Sequence, residues 1–137
     1  MKTIILIITT VLFTTSVVGQ NINNNEGIQG TWQALNIERV LCDSPTDNKV
    51  IDFECPEFCM TIIFRANGYS TSSYTQASGT ENTTSNYKIS GDKMTICENA
   101  QNNSCHSVTF EISDKELKVT ATGEDTGCDV ITTFVRK

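Results

Sequence analysis

Six cysteines and a single histidine are the residues of this chain best suited to chemistry. Cys55-Pro-Glu-Phe-Cys59 together with Cys105-His106 carries the ligand types of a zinc site. Structural zinc sites, however, usually draw on two closely spaced ligand pairs, and here the second pair is a lone adjacent dipeptide. The acidic run Glu124-Asp125-Thr126-Gly127-Cys128-Asp129 offers oxygens to calcium but lacks the spacing of a dedicated calcium loop. Serine or cysteine catalysis needs a base beside the nucleophile and a third group that orients the base. His106 is the only imidazole, no Gly-x-Ser-x-Gly elbow is present, and no partner for His106 can be named. The expectation is a protein without metal or cofactor and without enzymatic activity, in which His106 can still serve as a titratable polar contact in a pocket.

The start of the chain explains the cysteines better. Met1 to Gly19 has a charged beginning at Lys2, an apolar run from Ile4 to Val18 and small residues at its end, the layout of a signal peptide cleaved before Gln20. Its strongly apolar stretches are broken by threonines and fall short of the ~20 residues a membrane span requires. The first cysteine is Cys42, so none is available to carry a lipid at the cleavage site. The expected product is secreted without a stable membrane anchor: extracellular, or periplasmic if the source is a Gram-negative bacterium. An even cysteine number in an exported chain reads as a disulfide framework.

Removal of residues 1–19, whose only charge is Lys2, takes the net charge from −6 to −7. No basic stripe remains, which excludes nucleic acid as an expected partner. The remaining chain of about 118 residues fits one domain, over 28–137, after a polar leader at 20–27.

The elements that must position any site are short runs rich in Val, Ile, Thr, Phe and Tyr, separated by turn residues, with no helical period. Eight strands are predicted, over 30–40, 58–65, 69–76, 82–89, 93–97, 105–112, 116–122 and 128–136. Asn67-Gly68 reads as a two-residue hairpin with both residues at positive φ. Residues 90–92 and 113–115 are short polar links. Period-2 alternation places Met60, Ile62 and Phe64 on one face, as it does Met94 with Ile96, Val108 with Phe110, and Val130 with Phe134. The first strand breaks the pattern, since Trp32 and Ala34 share one face but Leu35 and Ile37 the other; a bulge would reconcile them. Eight sequential antiparallel strands with short links favour an all-β, up-and-down barrel, which leaves no open edge. The one long link, 41–57, has room for a helical turn.

Gly30-Thr31-Trp32 resembles the Gly-x-Trp signature of the first strand in the lipocalin superfamily. Phe64-x-x-Asn67-Gly68-Tyr69 is similar to the second-strand hairpin of small secreted lipocalin-like domains. Arg136 matches the basic residue that in this superfamily packs over the first-strand Trp, which implies a cation–π contact closing the barrel. The resemblance runs from Ile28 to Arg136 and implies a lipocalin-like, disulfide-stapled barrel. The chain departs from it in being short, in lacking a C-terminal helix and in carrying six cysteines.

Up-and-down winding sorts the links into two ends. The cysteines gather at the end holding the long links, the open end. Cys97 and Cys105 bracket one hairpin and are the expected first pair. Cys42 and Cys128 pair where the last strand closes on the first, leaving Cys55 with Cys59. Ten acids but only Lys49 among the bases lie in the open-end segments 41–57, 77–81, 98–104 and 123–129. Such a rim attracts cations, or simply keeps the surface soluble. No cation stands at an inward position ahead of Arg136, so an anionic ligand is not expected. The inward residues of the third and fourth strands are polar, either Thr71, Ser73 and Thr75 or Ser70, Ser72 and Tyr74, with Thr83, Ser85 and Tyr87.

Two functions follow. The first is a secreted carrier of a small neutral or cationic amphipathic molecule, contacted by Met60, Ile62, Ser73, Tyr87, Ile96, His106, Val108 and Val130. The second is a secreted protein-interaction or inhibitor module, in which a filled barrel holds the braced loops 41–57 and 98–104 against a protein partner. A cavity above ~300 Å³ favours the first.

Overall fold

Each hydrophobic-alternating run pairs with its neighbour in sequence, and the last returns to the first. A computed structural model describes residues 27–98, 104–123 and 127–137. Its strands are β1 (Gly30–Val40), β2 (Lys49–Asp52), β3 (Cys59–Phe64), β4 (Tyr69–Gln76), β5 (Gly79–Ser90), β6 (Lys93–Glu98), β7 (Ser104–Ile112), β8 (Glu116–Ala121) and β9 (Asp129–Arg136). All pairings are antiparallel, in the order β2-β1-β3-β4-β5-β6-β7-β8-β9, and β1 also pairs with β9. Eight strands therefore close an up-and-down barrel, as the sequence predicts. The expected signal peptide and most of the expected leader, with loop residues 99–103 and 124–126, lie outside the described residues. Among the described residues no helix is long and apolar enough to cross a membrane.

Three expectations need correction. The link 41–57 holds a single 3-10 turn at Pro45–Asp47 but also β2, which was not expected. The first half of β1 pairs with β3 at Gly30–Gln33, and the second half pairs with β2 at Asn36–Arg39. Because β3 starts only at Cys59, the upper edge of β1 would otherwise be open, and β2 folds back to cover it. The alternation of β2 was hidden because all four of its residues are exposed. The hairpin of β4 and β5 is longer than expected, with Gln76 opposite Gly79. The turn at Asn67-Gly68 is of another type: only Gly68 has positive φ, at 80°. Gly68 N–H donates to Arg65 O and Arg65 N–H to Tyr69 O, which makes a three-residue loop ending in a left-handed glycine.

The expected bulge lies in β1. Ala34 stands opposite Phe134, but Asn36 stands opposite Thr133, so Leu35 is the extra residue. The shift lets Trp32 and Ala34 below it and Ile37 above it share the inner face.

The core gathers at the closed end. Trp32, Met94, Leu117 and Ile28 are fully buried, with Phe64, Phe110 and Phe134 around them. Trp32 Nε1 donates to Ile28 O at 2.7 Å, so its one polar group is satisfied inside the core. Arg136 lies over the Trp32 ring, 4.3 Å from its centroid, and donates to the carbonyls of Gly27, Gln29 and Asp114. One side chain thus ties the start of the domain, the β7–β8 turn and the last strand together beneath the tryptophan.

Candidate functional site

Above this floor the inner faces of the strands leave an apolar cavity of about 140 Å³. Phe64, Met94 and Phe134 form its buried base, and Met60, Ile62, Ile96, Val108 and Val119 its walls. Thr132 adds a hydroxyl to one wall, and His106 stands at the mouth, where it is exposed. The cavity is below the ~300 Å³ at which drug-sized ligand pockets begin, but close to the ~150 Å³ apolar cavity that accepts a benzene ring. It suits one small apolar group or the end of an alkyl chain. The barrel is therefore neither filled nor hollow along its whole length.

Five of the sequence-selected contacts, Met60, Ile62, Ile96, His106 and Val108, come together around this cavity. Three do not. Val130 shares the inner face but sits one row nearer the mouth, opposite Arg39 and Ala121. Tyr87 is buried lower down, where its hydroxyl donates to Arg65 O at 2.6 Å and its ring packs edge-on against Phe64. Burial raises its pKa above the ordinary tyrosine value. Ser73 faces outward: it pairs with Thr61 and Asn82, and its hydroxyl donates to Asn82 Oδ1. Of the two inward sets left open for β4, the register selects Ser70, Ser72 and Tyr74, which stand opposite Phe64, Ile62 and Met60.

Two features of the mouth were not foreseen. Phe53 stacks on Phe58 at 4.8 Å, and Phe58 meets Tyr74 edge-on at 5.8 Å, so the long link brings an aromatic cluster onto the rim. Phe53 is held there by its N–H bond to Leu35 O, the carbonyl of the bulge residue. The second feature corrects the expectation of no inward cation. Past the bulge, Ile37 stands opposite Thr132 and Arg39 opposite Val130, both inner-face partners, which turns Arg39 inward. Uninterrupted alternation from Trp32 would have placed Glu38 there instead. The break in pattern around Leu35 was the signal for this, but it did not say which residues above the bulge would turn inward.

Disulfides join Cys42 to Cys128, Cys55 to Cys59 and Cys97 to Cys105. With every cysteine bonded, none can supply a thiolate to a metal. Among the described residues no group of His, Cys, Asp and Glu is placed to hold a metal ion. The Cys42–Cys128 bridge ties the end of β1 to the start of β9, and Cys55–Cys59 closes the end of the long link against β3.

A family profile for the lipocalin-like domain matches residues 28–127. Two solved structures share the fold. One is an uncharacterized protein from Bacteroides eggerthii, 15% identical, with a TM-score of 0.58 over 80% of this chain and 98% of that one. The other is a lipocalin-like protein from Bacteroides uniformis, 14% identical, with a TM-score of 0.58 over 81% of this chain and 99% of that one. No protein of curated function matches.

Proposed function

The chain belongs to the lipocalin-like domain family, and from that premise we propose that it is a secreted binding protein for a small amphipathic molecule. The molecule's apolar part enters the cavity above Trp32, and its polar part stays at the mouth. The observation that carries this reading is the apolar cavity of about 140 Å³, walled by Met60, Ile62, Ile96, Val108 and Val119, which is short of the ~300 Å³ that would enclose a whole ligand and so takes only its apolar part. A cavity lined mostly by apolar side chains, with only the Thr132 hydroxyl and His106 as polar groups, holds water weakly, so an apolar guest gains by filling it. The disulfides at the mouth hold the walls in place before binding, which lowers the ordering cost. Export through residues 1–19 is part of the proposal, and so is a binding rather than a catalytic role for His106.

Native mass spectrometry of the disulfide-intact protein, as secreted by its own source, tests this. A small molecule retained on the wild type but not on Val119→Phe, which fills the cavity, supports the carrier reading. Equal retention by both variants overturns it. A wild type that carries no small molecule would point instead to the braced loops and a protein partner.

A further inference from the structure

Resting on the reading that the cavity takes the apolar part of a ligand, we propose that Arg39 and Lys49 form an anion-binding pair at the mouth. The pair would select amphipathic molecules with a negatively charged head group. The two residues stand directly opposite each other where β1 pairs with β2. Arg39 also stands opposite Val130 of β9, whose side chain belongs to the inner face. Like charges directly across a strand pair repel and destabilise the sheet. An anion between them turns that repulsion into two attractions.

Among the described residues, neither Arg39 nor Lys49 has a carboxylate within ion-pair distance. The guanidinium of Arg39 is held by donating from Nη2 to Cys128 Sγ at 3.4 Å. A disulfide sulfur is a weak acceptor, so this contact orients the group without satisfying its charge. The acids of the same strands, Glu38, Asp52 and Asp129, occupy the alternate positions and face outward. Glu81 and Glu98 take inner positions on β5 and β6, on the far wall. Eight strands at ~4.8 Å spacing make a barrel roughly 15 Å across, nearly twice the ~8 Å screening length at physiological salt. Glu81 and Glu98 therefore act weakly on an anion seated against Arg39, whereas Asp43, which lies against Gly127 next to Cys128, is a near-rim carboxylate that the two cations must outweigh.

The geometry also fits the length of such a molecule. One inner-face step below the Arg39 and Val130 row lies the row of Ile37 and Thr132, and Thr132 is a wall of the cavity. Two residues of strand rise only ~7 Å, so a short alkyl chain anchored at Arg39 reaches the apolar space beneath. Arginine binds a carboxylate through two parallel N–H donors, which gives direction as well as charge.

Calorimetric titration of the disulfide-intact protein with octanoate, 1-octanol and octylammonium tests the pair. All three share one tail, and octanoate is ionised at pH 7. Octanoate is expected to bind at least about tenfold more tightly than the other two, the range of one charge-assisted hydrogen bond. Arg39→Gln should abolish that preference while keeping the affinity for 1-octanol, which also reports that the barrel is intact. Lys49→Gln, on the exposed β2, should reduce it in part. Equal binding of octanoate and 1-octanol, a preference for octylammonium, or a preference that survives Arg39→Gln overturns the anion pair and leaves the cavity reading standing. Failure of all three probes to bind overturns both.

Discussion

The guanidinium carbon of Arg136 lies 4.3 Å from the centroid of the Trp32 ring. Trp32 is fully buried while Arg136 is exposed, so the pair forms a seal with an apolar inner surface and a charged outer one. Trp32→Ala should destabilise the protein by about 3–5 kcal/mol, because it opens a void in the most tightly packed layer. Arg136→Ala should cost about 2 kcal/mol, since three backbone carbonyls lose a charged donor at a partly solvated site. Urea unfolding of both variants reads the two values. An Arg136→Ala cost equal to that of an ordinary surface substitution would show that the floor closes without it.

The closed end was legible in the sequence for a physical reason. Its turns are short, its strands alternate cleanly below the β1 bulge, and Gly30, Trp32 and Arg136 all lie on that side of it. The mouth was not legible to the same degree. Whether Arg39 or Glu38 faces inward depends on one extra residue, and register errors of one residue invert a face. β2 carries no apolar alternation because both of its faces are exposed. The all-polar run Ser70–Ser73 carries no pattern that decides between faces, so the outward position of Ser73 is not readable from it.

The three disulfides should differ in their contribution to stability. Cys42–Cys128 spans 86 residues, against 8 for Cys97–Cys105 and 4 for Cys55–Cys59. On the chain-entropy relation the long bridge contributes about 4–5 kcal/mol and each short one about 2–3 kcal/mol. Denaturant midpoints of the three double-alanine variants, each with its remaining bridges oxidised, should fall in that order. A variant lacking Cys42–Cys128 that is as stable as one lacking Cys55–Cys59 would contradict it.

Asn36 lies just past the bulge, opposite Thr133 on one side and Asp52 on the other. Its Oδ1 is buried without a hydrogen-bond partner among the described residues. A buried acceptor left unpaired costs about 1–3 kcal/mol, and valine suits a strand better than asparagine. Asn36→Val should therefore raise stability by about 1 kcal/mol, seen as a higher Tm. A lower Tm would mean that the amide makes its contribution through its other atoms.

Tyr87 supplies a pH dependence whose sign can be worked out. Burial raises its pKa in the folded protein above the unfolded value of about 10. The folded state then holds the phenol proton more tightly than the unfolded state does. The associated stability is complete below pH ~10 and is lost as pH rises through the folded-state pKa. Tyr87→Phe should cost about 1 kcal/mol at pH 7, through the bond from its hydroxyl to Arg65 O. It should also flatten the loss of stability above pH ~10 relative to the wild type. Unfolding curves at pH 8 and above pH 10 separate the two effects, because the two proteins differ only in this hydroxyl. Parallel pH profiles for the two would mean that Tyr87 ionises in the barrel as readily as in the unfolded chain, and that the base of the cavity is wetter than its packing against Phe64 implies.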